Sequence, residues 1–336
     1  MTSLDNVSNK RKKVFGDRVT RVTTSQMYEI YTILEKNLSG LFKRMTLNKT
    51  LTTKTTHGDI DIIVLPYRHC WKEFINCCNE YEILNVVRNG YVNSYLMKFP
   101  TLNNMCVHVD IIVASDNEDY MAKKTYFSYN DLSAIIGMLA RYYGYKYGSE
   151  GFYKRVVDKR GNYHYILITK DLAQTALPML GFCTTTYNNI QTIDDCVSFV
   201  YNSKFYETNI YSSNTMNSRQ TLDYKKRPNI TYMINKFNEL PTLSQTITVD
   251  TNIKVCYSTY WAKIENETKL INERIVPKSK YNGEWLMKTF GLTPGPRIGF
   301  ILKELFNTFK DELDNQDESI VKIHVKRIIN NVPTTV

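Results

Sequence analysis

No Cys-x-x-Cys pair occurs in the 336 residues, and the seven cysteines, at positions 70, 77, 78, 106, 183, 196 and 256, keep no regular spacing. That excludes zinc ribbons and a disulfide framework and fits a reducing compartment. No apolar run approaches ~18 residues, and the N-terminus is polar and charged, so neither a membrane span nor a signal peptide is expected. A soluble intracellular protein, cytoplasmic or nuclear, follows as the expectation. Histidine is scarce, at five, and no Ser-His-Asp or Cys-His arrangement is signalled. The glycines at 144, 148 and 151 fit neither a phosphate-binding Walker loop nor a dinucleotide fingerprint and read as turns.

Enough apolar and aromatic side chains are present, 43% and 12%, to bury cores of about two domains. Lysine and arginine number 43 against 33 acids, a net +10, and there are 25 tyrosines. Phosphate attraction and base stacking then make nucleic acid the expected partner.

Acidic chemistry concentrates in Thr56-His57-Gly58-Asp59-Ile60-Asp61-Ile62-Ile63-Val64, with an echo in Val107-His108-Val109-Asp110-Ile111-Ile112-Val113. Side chains alternate faces along a strand. Asp59 and Asp61 therefore share a face, with Ile60 and Ile62 behind them. Ile63 then takes the acidic face, so the strand turns apolar on both sides, as a buried central strand does. His108 and Asp110 likewise share a face with Ile112. Like charges on neighbouring strands repel by roughly 0.2–1 kcal/mol per pair even when exposed. Three such acids suit a pair of divalent cations about 3.5–4 Å apart, placed for in-line attack on a phosphate. With His57 and His108 added, the set also invites a transition-metal hydrolase, although such sites recruit further ligands from loops.

Elsewhere, residues 1–24 form a basic arm with Lys10-Arg11-Lys12-Lys13, suited to nuclear targeting or phosphate contact. A helix begins at Ser25, with Met27, Ile30, Tyr31, Leu34, Leu38 and Leu41 on one face. A polar run covers 46–56. A second helix is expected over 68–86 (Trp71, Phe74, Ile75, Cys78), then a strand over Val92–Phe99. Asn130 is the expected N-cap of a helix with Leu132, Ile135, Ile136, Leu139 and Tyr143 inside, ended by Gly144. Another helix is expected over Ile193–Tyr206. The polar stretch 211–229, with Arg219, Lys225, Lys226 and Arg227 around Tyr224, suits either a nucleic-acid groove or a solvated linker. Pro296 opens a last helix whose buried face is Ile298, Ile301, Leu302, Leu305, Phe306 and Phe309.

The Gly-Asp-x-Asp strand followed by one later carboxylate resembles the signature of the polymerase-beta nucleotidyltransferase superfamily. Over roughly residues 28–185 the order of segments is similar to family X DNA polymerases: Thr125-Tyr126-Phe127-Ser128, a helix, Gly144 to Gly151-Phe152, Ile168-Thr169-Lys170-Asp171 and Leu180-Gly181-Phe182. Pro294-Gly-Pro296-Arg-Ile-Gly resembles a short helical region of tRNA nucleotidyltransferases and bacterial poly(A) polymerases.

The resemblance implies an α+β fold. A palm with a mixed sheet would cover 25–125, a smaller thumb-like region 126–185, and a mainly helical part 186–336. It implies two magnesium or manganese ions on Asp59, Asp61 and Asp110, with a nucleoside or deoxynucleoside triphosphate as substrate and a nucleic-acid 3′ end as acceptor. By the same resemblance Tyr126 and Phe127 lie along the sugar and base of the incoming nucleotide, and Ser128 and Asn130 are further candidate nucleotide contacts. The superfamily's small pair before the first acid is replaced here by Asn48-Lys49, so Lys49, with Lys54 and Gly58, becomes the candidate phosphate contact. Arg219, Lys225, Lys226 and Arg227 become candidate nucleic-acid contacts. Alternatives are an RNA 3′-end adding enzyme and a nucleic-acid-binding protein on a decayed palm.

Overall fold

The computed structural model describes residues 14–67, 80–241, 248–273 and 279–331. The described residues divide into two compact units, one within Met1–Val157 and Tyr163–Asn266, the other within Asp158–Asn162 and Glu267–Val336. Residues 186–266 thus belong with the sheet-bearing unit. The four-lysine/arginine run at 10–13, and 68–79 of the helix expected over 68–86, lie outside the described residues.

The first unit is built on a five-stranded mixed sheet. Two short strands, β1 (Val22–Thr23) and β3 (Thr56–His57), pair with each other. The sheet takes β2 (Phe42–Leu47), β4 (Ile60–Pro66), β5 (Glu82–Asn89), β6 (Val92–Phe99) and β7 (Met105–Val113) in the order β2-β4-β7-β6-β5. Only β4 and β7 run parallel, and they set Asp61 directly beside Asp110. Residues 82–86, the end of the expected helix, are therefore part of a strand, because the backbone of β5 pairs with β6 from Glu82–Lys98 to Asn89–Val92. The expected polar run likewise begins inside β2, whose Leu47 pairs with Ile62.

Both sheet faces are covered, as the apolar reading of β4 requires. On one side lies the helix Thr24–Leu38, opened by a capping box in which Thr23 and Gln26 satisfy each other's backbone amides. Its Met27, Ile30, Leu34 and Leu38 join Ile60, Ile62 and Val64 in one core. Burial of each such side chain stabilises by about 1.5–3 kcal/mol. On the other side, Tyr120 of the helix Asn117–Phe127 packs with Ile63, Leu65 and Ile112. Asp61 and Asp110 share this second face, at its uncovered end.

Tyr126 and Phe127 thus close a helix, which the sequence reading did not foresee. The next helix, Leu132–Tyr142, has Asp131 at its N-cap position rather than Asn130. Asn130 is instead left-handed, at φ 56°, following Tyr129 at 61°. Its short polar side chain tolerates that conformation, which turns the chain between the two helices. A second, three-stranded antiparallel sheet follows: β8 (Tyr145–Gly148), β9 (Gly151–Val157) and β10 (Tyr163–Thr169), in the order β10-β9-β8. The helix Ile193–Tyr201 is shorter than expected, and residues 218–226 form a helix of their own.

The second unit contains the helices Gly283–Phe290, Pro296–Phe309 and Glu318–Asn331. Pro296 sits at the first turn as expected, and Ile298, Ile301 and Leu305 are buried with Leu286, Val321 and Val325. The architecture is mixed α and β. Among the described residues no helix is long and apolar enough to cross a membrane.

Candidate metal centre and the adjoining cleft

The alternation of β4 and the parallel register with β7 bring the three predicted acids together. One carboxylate oxygen each from Asp59, Asp61 and Asp110 lies within 4.8 Å of the others. Asp59 is exposed, whereas Asp61 and Asp110 are half-buried. Burial and, next, the charges of Asp59 and Asp110 push the Asp61 carboxyl from 3.8 up to about 8. A cation between them would remove that penalty, so the donor set, all hard carboxylate oxygens, fits magnesium or manganese.

Neighbours orient Asp110. Ser94 Oγ, on the adjacent strand β6, donates to Asp110 Oδ1 at 2.5 Å, and His108 Nε2 lies 2.8 Å from the same oxygen. Both contacts fall on Oδ1. Burial disfavours a charged His108, but the bond to Asp110 and the three carboxylates outweigh it and raise its pKa above the ordinary value. The His108 ring is packed edge-on against Phe15, with centroids 5.0 Å apart. Ser94 gave no signal in the sequence, because only the β6–β7 register places it opposite Asp110.

His57 is buried, with Nε2 3.1 Å from Thr24 Oγ1. Burial, then Lys54, with Arg21 also contributing, lowers its pKa. Neither histidine joins the three-acid group among the described residues.

A cleft of about 270 Å³ opens on the acids, and Asp59, Asp61, Lys54, Asn48 and Thr50 are among the residues lining it. Lys49 is not one of them. Its ammonium lies 3.5 Å from the Tyr129 hydroxyl and over that ring. The Asn48 amide donates to the Asp61 carbonyl at 3.0 Å, so it is already engaged. The Asn48 side chain is buried and donates to the Phe127 carbonyl, while its Oδ1 has no partner. Gly58 lies outside the lining too. A Cβ there would meet the Arg21 guanidinium at 3.0 Å, and that arginine bonds the Thr56 carbonyl.

A second cleft, of about 820 Å³, shares Phe127, Asn130, Asp131 and Arg227 with the first. Tyr126 and Arg219 line this larger one. Arg227 is held by Asp131 at 2.7 Å and Asp223 at 3.3 Å. Ser128 is brought to neither: it is buried and donates to the Lys124 carbonyl. Lys225 and Lys226 are exposed and line neither cleft. Basic residues of the larger cleft that sequence reasoning missed include Arg141, Lys146 and Arg155. Their residue type gave no signal apart from their position in the sheet and helix.

No protein-family model matches this chain, and a search of curated proteins finds no match. The case for function therefore stands on the geometry of the acids and the clefts.

Proposed function

We propose that the chain is a metal-dependent nucleotidyltransferase. It would move a nucleoside monophosphate from a ribo- or deoxyribonucleoside triphosphate to the 3′-hydroxyl of a nucleic acid. The observation that carries this is the convergence of Asp59, Asp61 and Asp110, the first two of which line a cleft that also holds Lys54. A new bond forms between the 3′-oxygen and the α-phosphorus, and the bond from that phosphorus to pyrophosphate breaks. Asp59, Asp61 and Asp110 would hold two magnesium or manganese ions, which supply positive charge to the phosphates and acidify the attacking hydroxyl.

The chain's own contributions follow from its side chains. Ser94 and His108 fix the Asp110 carboxylate. Lys54 adds positive charge beside the acids, where negative triphosphate would lie. Phe127 and Asn130 stand at the join of the two clefts, a position suited to the nucleoside. Positioning and fixed charge account for most of the rate in such chemistry.

Asp59→Asn and Asp110→Asn should each abolish incorporation of labelled nucleotide into DNA and RNA primers while leaving the fold intact. Near-normal incorporation by both variants would overturn the assignment.

One observation favours a second reading, a nucleic-acid-binding protein without transfer activity. Asn48 and Lys49 occupy the place where a small pair would let backbone amides approach phosphate, and the Asn48 amide is committed to Asp61. Calorimetry with a triphosphate and manganese separates the two. Binding supports transfer, and its absence supports the second reading.

A further inference from the structure

The three-stranded sheet carries two unlike faces. Tyr145, Phe152, Ile166 and Ile168 are turned inward and buried. The other face is a lattice of tyrosines and cations. Cross-strand register sets Tyr165 beside Arg155, Tyr163 beside Val157, and Tyr153 beside Lys146. Lys146 Nζ lies 5.0 Å from the Tyr153 ring centre and 5.4 Å from that of Tyr165, and the Arg155 guanidinium lies 5.2 Å from that of Tyr163. Tyr163 and Tyr165 are 63% and 52% exposed, so these rings remain open to a ligand.

We infer that this face is a stacking platform for unpaired bases of a single-stranded nucleic acid that feeds the larger cleft. The inference deepens the proposed function and rests on it for the identity of the acceptor. Three observations select the occupant. Rings and cations alternate, which matches bases and phosphates in one strand. Tyr163 and Tyr165, two residues apart on β10, stand about 6.7 Å apart along the strand. That is about twice the ~3.4 Å rise of a duplex strand, so bases splayed from a single strand suit successive rings and stacked duplex bases do not. Finally, Lys146, Tyr153, Arg155 and Tyr165 also line the larger cleft. That cleft shares Arg227 and Asn130 with the acid cleft, so the platform, the larger cleft and the acids form one continuous path.

The test is binding without nucleotide and in EDTA, where the acids' chemistry plays no part. Fluorescence anisotropy with labelled 20-nucleotide oligo(dT) and oligo(U) should show tighter binding than to a 20-base-pair blunt duplex. The double variant Tyr163→Ala with Tyr165→Ala should weaken single-strand binding at least about tenfold and leave duplex binding within about twofold. Tyr163→Phe with Tyr165→Phe keeps the rings and should bind like the wild type, which separates stacking from a folding defect.

Lys146→Ala with Arg155→Ala should lower the slope of log affinity against log salt by about 1.4, two cations at ~0.7 each. A strand carrying 5-iodouridine should cross-link to Tyr163 or Tyr165 on irradiation. Several results would overturn the inference: an alanine variant that binds single strands within twofold of wild type, a phenylalanine variant that loses as much, or equal wild-type affinity for duplex. Failure of single-strand binding altogether would point to a protein partner on this face and would also overturn it. Asp110→Asn should leave anisotropy unchanged, so loss of transfer without loss of binding implicates only the acids.

Discussion

Replacing Asp61 by asparagine should stabilise the metal-free protein above neutral pH. Burial, with Asp59 and Asp110 beside it, raises the folded-state pKa of this carboxyl from 3.8 to about 8. A raised folded pKa means that the folded chain keeps a proton which the unfolded chain has already lost. The associated stability is fully present below about pH 4 and is lost as the pH rises toward 8. Some four pH units at ~1.4 kcal/mol each set a ceiling on the order of 5 kcal/mol. Asp61 is partly open to water, and screening there reduces the expectation to about 2 kcal/mol.

Asparagine has the same shape without the charge, so the variant escapes the loss. In EDTA at about pH 9 it should melt about 4–8 °C above the wild type, and at about pH 4 the two should converge. Manganese at a hundred times its Kd should add about 2.7 kcal/mol to the wild type and far less to the variant, which has lost a ligand. Differential scanning calorimetry at the two pH values, with and without metal, reads all of this. A variant melting at or below the wild type at high pH would refute the mutual repulsion of the acids, and with it the electrostatic case for a cation.

Four further outcomes are expected. Ser94→Ala removes the hydrogen bond that orients Asp110 and should lower incorporation by about 10–100-fold with little change in melting temperature, since partners of metal ligands typically carry that much. Lys54→Ala should raise the apparent KM for triphosphate about tenfold, a loss of ~1.4 kcal/mol. Lys49→Ala should change KM much less, because that ammonium lies on Tyr129, and steady-state kinetics compares the two. Leu34→Ala, at a fully buried position under the sheet, should cost about 2–5 kcal/mol by urea unfolding.

The acids were legible from the sequence because a strand's two-residue period is a local property. Asp59 and Asp61 could be put on one face, with Ile63 announcing burial, without knowledge of any neighbour. The first helix was legible for a similar reason: the spacing of Met27, Ile30, Leu34 and Leu38 repeats at the helical period. Residues 82–86 were misread because a short run of mixed residues carries little periodicity, and pairing with β6 decides their conformation. Asn130 was misplaced by one residue, since a left-handed turn between two helices depends on how those helices pack.

Partnership was the larger gap. That Asp61 lies beside Asp110 depends on a parallel register between strands some fifty residues apart, and Ser94 enters through the next pairing along. Lys49 and Lys54 look alike in the sequence, yet packing sends one to Tyr129 and the other to the acids. The tyrosines of β9 and β10 were visible only as composition. Cross-strand register, a tertiary property, is what arranges them into one exposed face with Lys146 and Arg155. The chain's local periods determined which residues carry the chemistry, and contacts between distant segments decided which of them act together.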